Sequence, residues 1–177
     1  MKKEIEVKAK VENFDVLLSK LKELGCVLSE PLTQNDNILL SKELEFPDII
    51  LGTPVLRIRE SKDTKFTLKI ASGNELVCEE HEVIVSNAEN TKQLLEALGY
   101  HTVVKVNKTR RKCKYNDYEI CLDEVEELGS FVEVEKFSED DPSKIQEELF
   151  QFLESLGVKK EDQVFQGYDT LMFNKNT

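Results

Sequence analysis

The feature that most constrains this chain is an alternation, repeated in segment after segment, between apolar and ionised side chains. On a β-strand successive side chains point to opposite faces, so residues two apart share one. Glu4, Glu6 and Lys8 therefore stand opposite Ile5 and Val7, and Arg57 and Arg59 opposite Leu56 and Ile58. Lys65, Thr67 and Lys69 oppose Phe66, Leu68 and Ile70. Glu80 aligns with Glu82, Lys108 with Arg110, Lys112 and Lys114, and Glu133 with Glu135 against Val132 and Val134. Strands are expected at roughly Glu4–Lys10, Val55–Glu60, Phe66–Ile70, Cys78–Val85, Val103–Tyr115, Tyr118–Asp123 and Phe131–Phe137. Asn116-Asp117 and Ser72-Gly73-Asn74 supply turn chemistry between neighbouring runs, which makes an antiparallel meander.

Helical spacing appears in three other places. Phe14, Leu17, Leu18, Leu21 and Leu24 form a stripe that Asn13 is placed to cap and Gly25 to end. Leu94, Leu95 and Leu98 form a second, with Ser86 and Glu89 as a capping box and Gly99 at the end. Asp141 and Pro142 open a third, carrying Ile145, Leu149, Leu153 and Leu156 and closed by Gly157.

An ordinary sheet turns its ionised face to water. Here the charged faces are segregated by sign, whereas solvated faces usually mix signs and include small polar residues. Arginine recurs where lysine would serve a solvated face, and its planar fork suits phosphate oxygens. Helices are available to cover the apolar faces, so the ionised faces are expected to line a lumen. Such a lumen is tolerable when its charges are hydrated, paired or filled. Carboxylates hold hard cations such as Mg²⁺ or Mn²⁺, and arginine and lysine hold phosphates; together they describe a metal–polyphosphate site.

Composition narrows the alternatives. The 177 residues fit one domain, 1–177. A net charge of −11 argues against a nonspecific nucleic-acid binder, and the one dense basic block, KVNKTRRKCK over 105–114, suits a small anion held in a site. Cys26, Cys78, Cys113 and Cys121 show no zinc spacing and read as reduced, half-buried thiols; His81 and His101 are isolated. No run has the length of a membrane span, and the start has no secretory signal, so a cytoplasmic location without membrane association is expected.

In sequence order, Glu4-Ile5-Glu6-Val7-Lys8, Leu56-Arg57-Ile58-Arg59-Glu60, Thr67-Leu68-Lys69, Glu80-His81-Glu82-Val83 and Lys108-Thr109-Arg110 resemble the strand motifs of the CYTH superfamily, the triphosphate tunnel metalloenzymes. Leu122-Asp123-Glu124-Val125 through Leu128-Gly129-Ser130-Phe131-Val132-Glu133-Val134-Glu135 resembles the family's last long motif. Gly167-Tyr168-Asp169-Thr170-Leu171-Met172 resembles the C-terminal segment of the class IV adenylyl cyclase subgroup. The resemblance implies an α+β fold: a closed eight-stranded antiparallel β-barrel, the triphosphate tunnel, with helices packed outside. It implies Glu4, Glu6, Glu133 and Glu135 as ligands for Mg²⁺ or Mn²⁺. It implies Lys8, Arg57, Arg59, Lys69, Lys108 and Arg110 as the triphosphate grip, and Lys8, Glu6 and Asp123 as catalytic residues. Glu80 and Glu82 bind metal or brace basic residues through ion pairs; both readings stay open. Cys78 stands where relatives often carry a basic residue, and the loop Ser41–Pro54 has no match.

The implied reaction is that of a class IV adenylyl cyclase, a lyase converting ATP to cyclic AMP and pyrophosphate. The alternative is hydrolysis of inorganic, thiamine or nucleoside triphosphate. A non-enzymatic polyphosphate or nucleotide binding module would need the basic residues but not the full acidic set. No arrangement for a covalent nucleophile is visible. The implied partner is a small-molecule triphosphate, and the homodimers known among relatives extend to this chain as an expectation.

Overall fold

The structure, a computed structural model, describes residues 3–46 and 51–176. In chain order its elements are β1 (Lys3–Val11), α1 (Asp15–Glu23), β2 (Leu32–Ser41), β3 (Pro54–Glu60), β4 (Thr64–Ser72), β5 (Asn74–Val85), α2 (Ala88–Ala97), β6 (Tyr100–Tyr115), β7 (Tyr118–Val125), β8 (Gly129–Ser138), α3 (Pro142–Ser155), β9 (Gln163–Val164) and α4 (Tyr168–Asn176). The strands pair antiparallel, as the alternation and turn chemistry predict, and with helices beside them they give the α+β class that the resemblance implies. All seven strands expected from alternation are present. Two more, β2 and β9, and the helix α4 were not expected. No helix among the described residues is long and apolar enough to cross a membrane.

The chain divides into two compact units, the first Met1–Leu32 with Thr109–Phe165, the second Thr33–Lys108 with Gln166–Thr177. β6 gives its residues 109–115 to the first and 100–108 to the second.

In the first unit the strands run in the order β6-β7-β8-β1-β9. The β6–β7 turn falls at Asn116, whose φ of 55° lies in the left-handed region that asparagine tolerates. Ile5, Val7 and Ala9 of β1, Ile120 and Leu122 of β7, and Val132 and Val134 of β8 are buried. They share one face of the sheet, because Val7 pairs with Val134, Ala9 with Val132 and Ile120 with Val134. α3 packs on β1 and β8 and buries Ile145, Leu149, Phe150 and Leu153. Its start follows the sequence, with the Asp141 carboxylate accepting from the Ser143 amide and Pro142 in the first turn. α1 differs from expectation: Phe14 holds the N-cap position without a side-chain bond, and Asn13 Oδ1 accepts one residue further in, from the Asp15 amide.

In the second unit the order is β5-β4-β3-β2-β6. α2 packs on β3, where Leu95 joins Leu39, Leu56 and Ile58, with Phe66 and Leu68 beside them. Asn87, rather than Ser86, caps α2 by accepting from the Asn90 amide at 2.7 Å. The expected capping box is therefore replaced by a single asparagine cap, which does the same work for an orphan amide. Gly73, at φ 89°, makes the tight β4–β5 turn, next to a register shift at Ala71 and Ser72. Of the loop Ser41–Pro54, residues 47–50 lie outside the described residues; Phe46 is buried and stacks on Phe173 of α4 at 4.6 Å.

Candidate functional site

In the first unit, strand register sets the ionised side chains out in rows. Glu6 of β1 stands opposite Glu135 of β8, and Glu135 opposite Glu119 of β7, so three carboxylates cross three strands side by side. One step along, Lys8 stands opposite Glu133, and Glu133 opposite Cys121. Glu4, opposite Phe137, continues the same face of β1.

Lys8 is 2% exposed, with its Nζ 3.1 Å from Glu6 and 3.2 Å from Glu133. Burial works against its ammonium, but the two carboxylates outweigh burial and raise its pKa above the usual lysine value. Arg110 donates through Nε to Asp123 at 2.6 Å, and its Nη2 reaches both Asp123 and Glu133. Against burial, Glu133 and Asp123 help to hold the guanidinium firmly charged. Glu135 is different. Burial and the neighbouring Glu6 push its carboxyl up to about 8, despite Arg110 and Lys112 nearby, and it hydrogen-bonds Glu119. Glu119 is held below the usual range, against burial, by Lys112. Carboxylates crowded across neighbouring strands are the donor set a hard divalent cation suits: all oxygen, and mutually repelling until a cation arrives. Glu6, Glu133 and Glu135 fit such an ion on this ground.

In the second unit the same alternation places a mostly cationic set. Asp36 of β2 stands opposite Arg59 of β3 and accepts two parallel bonds, 2.7 Å from Nε and 2.6 Å from Nη2. Burial would raise the Asp36 pKa, yet Arg59, with Arg57 and Lys108 behind it, pulls it down to about 2. Arg57 stands opposite Thr67, which stands opposite Glu82, and Lys69 opposite Glu80. The Arg57 guanidinium lies 3.7 Å from Glu80 and 3.8 Å from Glu82, beyond hydrogen-bond length. Glu80 also holds Lys69, and Glu82 holds Lys65 at 2.6 Å. Lys108 is buried, its Nζ 4.6 Å from the centroid of the Tyr168 ring. That ring comes from the start of α4, which Glu75 secures by accepting from the Gly167 amide at 2.9 Å and the Thr170 hydroxyl at 2.8 Å.

In the first unit, therefore, the structure groups Glu6, Lys8, Arg110, Asp123, Glu133 and Glu135. In the second it groups Arg57, Arg59, Lys69 and Lys108, with Glu80 and Glu82 ion-paired to basic side chains. Arg111 donates to the Ser29 carbonyl at 3.2 Å on an exposed face. Asp36, Glu119, Cys121 and Tyr168 were not among the expected site residues. Glu119 and Cys121 carry the signal that found the others, being two apart and in phase with Asp123.

A family model described as CYTH domain matches residues 2–168. A protein of Methanocaldococcus jannaschii named "Putative adenylate cyclase MJ0240" is 28% identical over 170 residues, covering 93% of this chain and 95% of its own length. The structure of PH1819 protein from Pyrococcus horikoshii is similar at TM-score 0.83 and 27% identity, covering 97% of this chain and 99% of that one. A Hippeastrum protein described as a "putative adenylyl cyclase" with a dominant triphosphatase activity shares the fold at TM-score 0.66 and 15% identity, covering 100% of this chain and 97% of its own.

Proposed function

The chain belongs to the CYTH domain family, and on that footing we propose that it is a divalent-metal-dependent enzyme acting on a triphosphate, with ATP cyclisation to cyclic AMP and pyrophosphate as its reaction. The closed eight-stranded tunnel implied by the family belongs to the same proposal. The observation that carries it is the crowded row Glu6–Glu135–Glu119, with Glu133 beside it, which a folded protein keeps at a cost unless a cation uses it.

In this reading Glu4, Glu6, Glu133 and Glu135 hold Mg²⁺ or Mn²⁺. Bound there, the metal would neutralise phosphate charge and lower the pKa of the attacking oxygen. Arg57, Arg59, Lys69 and Lys108 grip phosphate oxygens. Arg57 suits this best, since its carboxylate contacts are long enough to exchange for bidentate phosphate bonds. Glu80 and Glu82 brace Arg57 and Lys69. Lys8 and Arg110 supply fixed positive charge toward the phosphates, and charge fixed before the reaction needs no reorganisation during it. Asp123 positions Arg110 through its two-point contact. The M. jannaschii protein's name favours the cyclase. The fold by itself does not select the reaction.

The deciding experiment incubates purified protein with Mg²⁺ or Mn²⁺ and, separately, ATP, inorganic triphosphate and thiamine triphosphate, and resolves the products. Cyclic AMP and pyrophosphate are expected, with turnover abolished by EDTA and lowered about a hundredfold or more in Glu6→Gln. Orthophosphate without cyclic AMP would establish a triphosphatase instead. Triphosphate binding without turnover of any substrate would leave a binding module.

A further inference from the structure

We propose that Glu119, Cys121 and Glu135 form a second metal site, one with a sulfur donor that takes a borderline-soft divalent cation of the Zn²⁺, Co²⁺ or Cd²⁺ class. One ligand atom from each of the three lies within 4.8 Å of the others. The arrangement follows from register: Glu119 and Cys121 share one face of β7, and Glu135 of β8 stands opposite Glu119 and diagonal to Cys121. Zinc takes thiolate and carboxylate donors at about 2.0–2.3 Å. Small rotamer changes therefore bring all three donors onto one ion.

Cys121 is what distinguishes this group from a patch of acids. Its side chain is 0% exposed. It is in no disulfide, and among the described residues no hydrogen bond reaches its Sγ. A cysteine serving as a small hydrophobe packs on an apolar face. This one lies on the ionised face, opposite Glu133, while its neighbours in sequence, Ile120 and Leu122, take the apolar face. The nearby cations leave room for an ion. Arg110 is engaged by Asp123 and Glu133, and Lys112 binds Oε1 of Glu119.

A thiolate selects softer cations over Mg²⁺, which strongly prefers oxygen. On binding, the Cys121 S–H bond breaks, a sulfur–metal bond forms, and the proton leaves to solvent. The site shares Glu135 with the proposed all-oxygen set, whose carboxylate has two oxygens, and it needs no triphosphate.

The test titrates Co²⁺ into the metal-free full chain, without nucleotide, and follows near-ultraviolet absorbance. A thiolate-to-cobalt charge-transfer band should appear, and Cd²⁺ should displace it. Cys121→Ser should abolish the band, Cys26→Ser should retain it, and Glu119→Gln should weaken Co²⁺ binding by about tenfold or more, at least the loss typical of outer-shell partners. No band in the wild-type chain, or a band that survives in Cys121→Ser, overturns the site. Because the readout is not turnover, loss of the band with triphosphate turnover intact removes this site alone. A band without turnover of any triphosphate speaks against the enzyme reading alone.

Discussion

The two units solve one problem, burying ionised side chains on a sheet face, in opposite ways. In the first, the cations are the guests. Lys8 and Arg110 are each held between two carboxylates at hydrogen-bond or ion-pair distance, and acids outnumber them along the row. In the second, the acids are the guests. Asp36 is pinned by Arg59, and Glu80 and Glu82 each touch Arg57 and a lysine. One alternation rule thus yields a surplus of negative charge on the ionised face of one unit, around Glu6, Glu133 and Glu135, and of positive charge on that of the other, around Arg57, Arg59, Lys69 and Lys108. That teaches what each is suited to hold: a cation in the first, an anion in the second.

The largest expected effect breaks the first arrangement. Glu133→Ala removes a carboxylate shared by Lys8 and Arg110 and leaves buried positive charge undercompensated, at a cost of about 3–5 kcal/mol. Urea unfolding of the metal-free protein reads this, and a loss under about 1 kcal/mol would mean those cations are hydrated after all. In the second unit Asp36→Ala strips Arg59 of its two-point partner and should cost about 2 kcal/mol by the same measurement.

The units should also respond to pH with opposite sign. Glu135 is held up to about 8 from an ordinary 4.5, so the folded form keeps a proton that the unfolded chain releases. Its contribution is full below about 4.5 and is lost as pH rises toward about 8. Asp36 is held down to about 2 from 3.8, so its contribution is full above 3.8 and is lost as pH falls through about 2. Stability of the metal-free protein against pH should lose its upper slope in Glu135→Gln and its lower slope in Asp36→Asn. If Glu135→Gln leaves the upper slope unchanged, the carboxylate row does not hold that proton. The smallest effect is at the rim: Glu82→Gln, a third exposed, should cost no more than about 1 kcal/mol.

Much of this was legible in the sequence, for a physical reason. Where a strand alternates fully, as in Glu4–Lys8, Leu56–Arg59 and Val132–Glu135, the face of each side chain is a local property of extended backbone, and the expected faces are the observed ones. β2 was missed because Thr33-Gln34-Asn35-Asp36-Asn37 is polar on both faces, so Asp36 went unnoticed with it. α4 was missed because Tyr168–Asn176 lacks an apolar stripe; its place is set by the Phe46 stack, the buried Tyr168 and the Glu75 acceptor, all distant in sequence. Ser86 and Glu89 have the spacing of a capping box, but backbone geometry gives the cap position to Asn87.

Which residues share a face, and which sign of charge each strand carries, follow from a two-residue period written along the chain. Which charges meet is not written in that period and depends on how the strands pair. That Glu6, Glu135 and Glu119 fall in one row, that Lys8 meets Glu133, and that Asp36 meets Arg59 are matters of register. Register depends on turns and on apolar faces brought together from distant segments, and a slip of one residue would have turned every one of these side chains to the other face.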